Sequence, residues 1–268
     1  MPSHLTISPS CPRIYSRLIV LPCILLFILC NMANKPVVVI AGLGSGTGTG
    51  AATARLFAKQ GYAIALIARG ADTLKALSDE ITTEGGTAAS FRIPSYSTTD
   101  VNTAFTQIRT QYQGQPIRVA LYNVGHGVWK PFLDITPEDV QAVTQTNIEG
   151  AFAFSKNILE AFQTNEIDEK GKRGSLIFTG ATASVRGNVS TSAFSAGKHA
   201  MRALSQSLAK EFGKKNIHVS HAIIDGGILT NMSRQRRNDP EWEQNEDARL
   251  SPEGIAEVYF PPSSLRMP

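Results

Sequence analysis

The chain has 268 residues, 42% of them hydrophobic and 18% charged, with a formal net charge of +4. That is enough apolar material for one well-buried globular domain. Lys and Arg are scattered and not interleaved with aromatic residues, which argues against a nucleic-acid surface. Cys11, Cys23 and Cys30 all fall in the first thirty residues, with no CxxC or Cys/His ligand spacing. Neither a disulfide framework nor a zinc site is therefore expected.

The N-terminus differs in character from the rest. Leu18 to Cys30 is an unbroken apolar run of 13 residues preceded by Arg13 and Arg17, and no acidic residue occurs before Asp72. As a helix the run would reach about 20 Å, against about 30 Å for a bilayer core. Two readings stand. Residues 1–31 are a hydrophobic leader that would take the protein to a membrane or secretory compartment. Alternatively they are an extension foreign to a domain that starts at Met32 and is cytoplasmic. The shortness of the run and the absence of an Ala-x-Ala site favour the second.

From residue 36 onward apolar, β-branched runs alternate with helical patterns. "PVVVIAG" (36–42) predicts a buried strand, 47–60 a helix, "YAIALIAR" (62–69) a strand, and 72–85 a helix. "AASFRI" (88–93), the helix at 100–112 and "IRVALYNVG" (117–125) follow. A long helix is predicted at 136–162, with Thr136 as its N-cap and Pro137 as its first residue. "GSLIFTG" (174–180) predicts a fifth strand, 191–213 a long helix and 217–225 a sixth strand. Strict alternation predicts a single-domain α/β fold, a doubly wound parallel sheet of Rossmann type. The polar, Trp-bearing stretch 233–250 reads either as a solvated connection or as short helices over a pocket mouth. Pro261 and Pro262 argue against a seventh, edge strand after it.

"AGLGSGTGTG" lies between the first strand and the first helix. Glycines there let the chain turn tightly and approach a pyrophosphate, which the helix N-terminus attracts. Gly42, Gly46, Thr47 and Gly48 are the expected phosphate-turn residues.

In this turn the sequence resembles the short-chain dehydrogenase/reductase family, whose glycines are spaced G-x-x-x-G-x-G; Gly42, Gly46 and Gly48 match. Further matches follow in order over residues 35 to about 258. They are Asn123 and Gly125 in "YNVG", Asn147 in "QTNIEGAF", Lys198 in "SAGKHA", and Gly226 and Thr230 in "DGGILT", where Asp225 stands in place of the family's proline. The resemblance implies a nicotinamide dinucleotide cofactor, a small-molecule substrate, and homodimers or homotetramers packed through the long helices after the fourth and fifth strands. At the tip of the second strand the family's NAD-dependent members carry Asp; here Ala68 is followed by Arg69. A guanidinium can pair with a ribose 2′-phosphate, so NADP(H) is expected over NAD(H). Ser95 or Tyr96 falls where the family often places an adenine-contacting Asp.

The same resemblance exposes a gap. The family's proton donor is a Tyr four residues before the Lys, and a Ser 13 residues before that Tyr positions the substrate oxygen. These positions hold Phe194 and Ala181, so both hydroxyls are missing while Lys198 and Asn147 remain. A one-residue slip would bring in Thr182, and Ser184, Ser192, Ser195 and His126 are other nearby polar groups. Two functions follow as expectations. One is an NADP(H)-dependent oxidoreductase acting on a carbonyl or alcohol with an atypical proton donor. The other is a non-catalytic NADP(H)-binding protein. No metal ligand set is expected; His126, His199, His218 and His221 show no ligand spacing.

Overall fold

The computed structural model describes residues 35–260, so the apolar run at 18–30 and the closing "PPSSLRMP" lie outside the described residues. Six parallel strands form one sheet: β1 Val37–Ala41, β2 Ala63–Ala68, β3 Thr87–Arg92, β4 Ile117–Tyr122, β5 Gly174–Ala181 and β6 Ile217–Ile224. Their order is β3-β2-β1-β4-β5-β6. Chain direction across the sheet reverses between β1 and β4, which opens a crevice at the C-terminal ends of the strands. Among the described residues β6 is the outer strand.

β1 and β2 are buried along their whole length, as strands covered on both faces must be. Their side chains alternate between two cores. Val37, Val39 and Ala41 join Phe105, Tyr122, Phe154, Phe162 and Phe178 on one face. Val38 and Ile40 join Phe57, Ile64, Leu66 and Leu74 on the other. Helices α1 (Thr49–Lys59), α2 (Ala71–Thr83) and α9 (Pro252–Tyr259) contribute to the second core. Helices α3 (Thr98–Gln111), α5 (Gly150–Thr164) and α6 (Ser192–Gly213) contribute to the first.

One element departs from expectation. The helix predicted at 136–162 is interrupted. It runs as α4 (Pro137–Thr144), widens into a π-helical turn at Gln145–Glu149, and resumes as α5. Thr136 caps α4 as anticipated, in a reciprocal pair with Asp139. The widening has a partner in the core. The Tyr122 hydroxyl, fully buried, donates to the Thr146 carbonyl at 2.6 Å. A Cβ at Gly150 would lie 2.6 Å from that same hydroxyl, so the backbone can come this close only with glycine there. The π turn carries Asn147 inward.

The stretch 233–250 folds into short helices. Helix α7 (Asn231–Arg237) and helix α8 (Pro240–Gln244) precede a 3₁₀ turn at Glu246–Ala248, and a bridge between Ile228 and Leu250 closes the segment. Its anchor is Trp242, which is buried, donates from Nε1 to the Ala248 carbonyl at 2.9 Å and is covered by the Arg237 guanidinium at 4.3 Å. No helix among the described residues is long and apolar enough to cross a membrane.

Replacing Tyr122 by Phe removes the only donor that this hydroxyl gives the Thr146 carbonyl. The variant is expected to lose about 1–3 kcal/mol of stability, read as a lowered urea midpoint with unchanged slope. An unaltered midpoint would show that the π turn does not depend on the hydroxyl.

Candidate active site

The first part of the site is the turn leaving β1. Gly42 and Gly46 have φ of +91° and +85°, a region that favours glycine. The turn also presses against its neighbours. A Cβ at Gly42 would sit 2.9 Å from the Asn123 carbonyl carbon, and one at Gly50 would sit 2.1 Å from the Gly42 carbonyl oxygen. Gly50 was not among the expected residues; its signal was present as the last glycine of "GTGTG". Helix α1 starts with Gly48 as N-cap, with no side-chain cap and no acid in its first turn. Its opening N–H groups therefore receive no side-chain cap. The Thr49 hydroxyl, at the same helix start, is buried without a hydrogen-bond partner. Thr47 accepts from the Asn231 backbone N–H at 3.0 Å, which ties the turn to α7.

Asn123, just past the end of β4, joins this turn to the rest of the site. Its Nδ2 donates to the Gly42 carbonyl at 2.8 Å, and its Oδ1 accepts from the Thr179 hydroxyl at 2.8 Å. At the tip of β2, Ala68 is buried and Arg69 is exposed, with the Arg69 guanidinium 5.8 Å from the centre of the buried Tyr96 ring. The β2–β3 register sets Arg92 beside Ala68, and Arg92 Nε donates to the Arg69 carbonyl at 3.3 Å. Two guanidinium groups therefore share this edge, and neither is in an ion pair among the described residues. Arg92 could not be placed there without the register. Ser95 is engaged elsewhere: its hydroxyl donates to Asp100 at 2.6 Å at the start of α3.

The cleft at the strand ends is lined by Gly48, Asn123, Gly125, Ala181, Phe194 and Lys198, with Gly226 and Thr230 on its α7 side. Lys198 is 5% exposed; its Nζ donates to the Thr179 carbonyl at 2.9 Å and lies 4.0 Å from Met201 Sδ. Burial pulls its pKa down from 10.5 to about 8, because the ammonium loses water without gaining a counter-charge. Gly125 gives it room: a Cβ there would lie 3.1 Å from Nζ. Asn147 is fully buried nearby and clamps the backbone of His126, accepting from its N–H at 2.9 Å and donating to its carbonyl at 3.0 Å. A Cβ at Gly197 would fall 2.5 Å from Asn147 Nδ2, so α6 passes directly over the amide.

Phe194 lies one turn before Lys198, its ring centre 6.0 Å from Nζ. On its other side is Trp129, at 5.2 Å between ring centres, and the Arg236 guanidinium covers Trp129 at 5.3 Å. Trp129 was not expected in the site; nothing local to "GVWK" signals it. Ala181 presents no hydroxyl to the cleft. The neighbouring hydroxyls are turned away. Thr182 donates to Asp225, and Ser184, fully buried, accepts from the Ala181 N–H at 3.1 Å and contacts His221 Nε2 at 3.2 Å. His221 is held down at about 4, mainly by burial and further by the charges of Lys198 and Arg202. Thr230 caps α7, accepting from the Ser233 N–H at 3.0 Å. Among the described residues no three His, Cys, Asp or Glu side chains gather in a way that would hold a metal ion.

The geometry thus unites the glycine turn, Asn123, Gly125, Lys198, Phe194 and Ala181, holds Asn147 behind them, and leaves Arg69 at the outer edge. Comparison with known proteins agrees. The family model for short chain dehydrogenases matches residues 36–241. The mouse 3-oxoacyl-[acyl-carrier-protein] reductase is 28% identical over 201 residues, covering 75% of this chain and 80% of that protein. The L-2,3-butanediol dehydrogenase of Corynebacterium glutamicum is 32% identical over 133 residues, half of this chain and 45% of that protein. In fold, the chain is similar to an alcohol dehydrogenase from Thermococcus sibiricus solved with 5-hydroxy-NADP. The TM-score is 0.70 at 23% identity, covering 87% of this chain and 94% of that one. With its turn, its strand order and these relatives in accord, the chain belongs to the short chain dehydrogenase family of oxidoreductases.

Proposed function

We propose that this protein is an NADP(H)-dependent oxidoreductase that interconverts a carbonyl and an alcohol on a small molecule, with a proton donor other than an aromatic hydroxyl. The observation that carries the cofactor is the unfilled polar start of α1: an uncapped helix end, a buried Thr49 hydroxyl without a partner, and a turn whose glycines allow close approach. A dinucleotide pyrophosphate fits those groups chemically. Gly42, Gly46, Thr47 and Gly48 would hold it. Asn123, Gly125 and Lys198 would flank the ribose and nicotinamide, with Gly226 and Thr230 on the opposite side. When bound, the cofactor supplies or accepts a hydride. The protein's part is to orient the substrate carbonyl, exclude water and manage one proton. Relatives whose names specify oxoacyl reduction and butanediol oxidation support the carbonyl–alcohol class.

Arg69 and Arg92 support NADP(H) over NAD(H). Two guanidinium groups without acid partners at the β2–β3 edge suit a 2′-phosphate, and no carboxylate at Ala68 opposes one. Homodimers or homotetramers through α4–α5 and α6 are part of the same reading, with half-exposed Val140 and Phe152 offering apolar surface on the first of these. Light scattering is expected to give a mass at least twice that of the chain.

Two further measurements test this reading. Fluorescence titration should show NADPH binding tighter than NADH. Arg69→Ala with Arg92→Ala should weaken NADPH about tenfold or more and leave NADH little changed; equal affinities in the unaltered protein would remove the role of both arginines. NADPH oxidation over a panel of carbonyls should reveal slow turnover, and Phe194→Tyr with Ala181→Ser should raise it by roughly 10²-fold or more. Cofactor binding with no turnover on any carbonyl would favour a non-catalytic binding protein.

A further inference from the structure

The proton donor can be assigned from what lines the cleft. Among the described residues of its wall, one side chain is ionisable, and that is Lys198. The hydroxyls of the wall are those of Thr49, Thr179 and Thr230, none of them acidic enough to give up a proton near neutrality. Two of them are also engaged. Thr179 donates to Asn123 and meets the Tyr259 hydroxyl at 2.9 Å, and Thr230 caps α7. The neighbouring polar groups do not line the cleft and are engaged with one another. Asp225 and Thr182 hydrogen-bond each other, Ser184 is fully buried against His221, and Ser195 is buried with its hydroxyl 3.0 Å from that of Thr191.

Resting on the oxidoreductase reading above, we propose that Lys198 is the general acid and base of the reaction, its ammonium giving a proton directly to the substrate oxygen where an aromatic hydroxyl is lacking. In the reducing direction the carbonyl carbon gains a hydride from a reduced nicotinamide dinucleotide, and the C=O π pair becomes a lone pair on oxygen. That oxygen forms an O–H bond as a Lys198 N–H bond breaks and leaves its pair on nitrogen. The neutral amine then takes a proton from water. The oxidising direction runs through the same atoms in reverse, with the neutral amine as acceptor.

Three features of the pocket fit this role. Nζ is anchored by one carbonyl, Thr179, and is in no ion pair among the described residues, so no carboxylate stabilises its charge. The nearest titratable group is His221 on β6, which feels the charges of both Lys198 and Arg202, while His126 on the loop after β4 is held by its backbone to Asn147. His221 is neutral at working pH and Arg202 is a cation, so neither opposes loss of the ammonium proton. Burial among Phe194, Met201 and Gly125 then brings the ammonium to about 8, within the range where an acid works near neutrality.

The test combines kinetics with an observation that does not depend on turnover. In ¹³Cε-lysine NMR of the whole protein, the Lys198 resonance, assigned by its loss in Lys198→Arg, should titrate near 8 without cofactor. A midpoint at the ordinary 10.5 would overturn the proposal. With NADPH saturating, kcat/KM for carbonyl reduction should fall about tenfold per pH unit above the Lys198 midpoint measured in the NADPH complex. Alcohol oxidation should instead rise to that midpoint and level off. Lys198→Arg keeps the charge and the hydrogen-bond donors but cannot release a proton. It should lower kcat by about 10²-fold or more and abolish the inflection while leaving the NADPH Kd within a few-fold. If Lys198→Arg restores full turnover with the same pH profile, Lys198 only binds cofactor. If the inflection survives there and vanishes in Asp225→Asn, the acid is Asp225. Failure of the underlying reading looks different: NADPH binding with no turnover of any carbonyl by the unaltered protein, which overturns both.

Discussion

The site depends on Thr179, near the end of β5. Its hydroxyl donates to Asn123 Oδ1 and lies 2.9 Å from the Tyr259 hydroxyl, which must then be the donor to it; its carbonyl accepts from Lys198. Asn123 in turn donates to Gly42. One residue therefore ties together the β1 turn, the β4 end, helix α9 and helix α6. Each link is buried or half-buried, where an unmade hydrogen bond costs more than a made one returns. Burial raises the Tyr259 hydroxyl to about 12, so it remains a donor throughout the physiological range. The consequence is geometric. The glycine turn and the lysine are positioned by the same residue and cannot shift independently.

An aromatic wall forms the outer side of the cleft beside Ala181. Phe194 is stacked on Trp129, which is itself under Arg236. Trp129 reaches that place by folding back over Gly127, where a Cβ would lie 2.2 Å from the indole ring. Aromatic stacking and a cation–π contact thus fix the outer side of the cleft in place of a hydrogen bond. On the inner side, Asp225 pairs with Thr182, the hydroxyl next to Ala181. Asp225 and Thr182 are therefore partners of each other. Neither returns a hydroxyl to the cleft.

Much of this was legible in the sequence because it is local. The β1 turn, the α1 start and the Phe194–Lys198 spacing depend on residues within one or two turns of each other, and short-range periodicity reports them directly. The parallel sheet followed from alternation alone. What escaped depended on contacts distant in the chain. The π turn that delivers Asn147 is matched to a hydroxyl 24 residues earlier, on Tyr122, and the pattern of 136–162 reads as plain helix without it. Arg92 reaches the edge beside Arg69 through the β2–β3 register, and Trp129 joins the cleft through a loop fold over Gly127. The Trp-bearing segment 233–250 was ambiguous because its order comes from burying one side chain, Trp242, rather than from any helical stripe.

On the proposed function, the magnitudes explain how an oxidoreductase site without those hydroxyls turns over. Proton donation by a placed side chain is worth roughly 10²- to 10⁴-fold, whereas holding two reactants in line is worth effective molarities of about 10⁵–10⁸ M. The larger of these contributions comes from the β1 turn, Asn123 and the strand ends, all of which are intact here. The smaller one needs an acid whose pKa lies near the working pH. On the proposed reading the Lys198 ammonium, with no carboxylate beside it among the described residues, meets that condition for the same reason that it is costly to bury: water is gone and one carbonyl, that of Thr179, has replaced it. A wall of Phe194, Ala181 and Trp129 therefore does more than omit an acid. On the proposed reading, the apolar ring of Phe194 beside Nζ supplies no counter-charge, and the buried ammonium is a better acid for it.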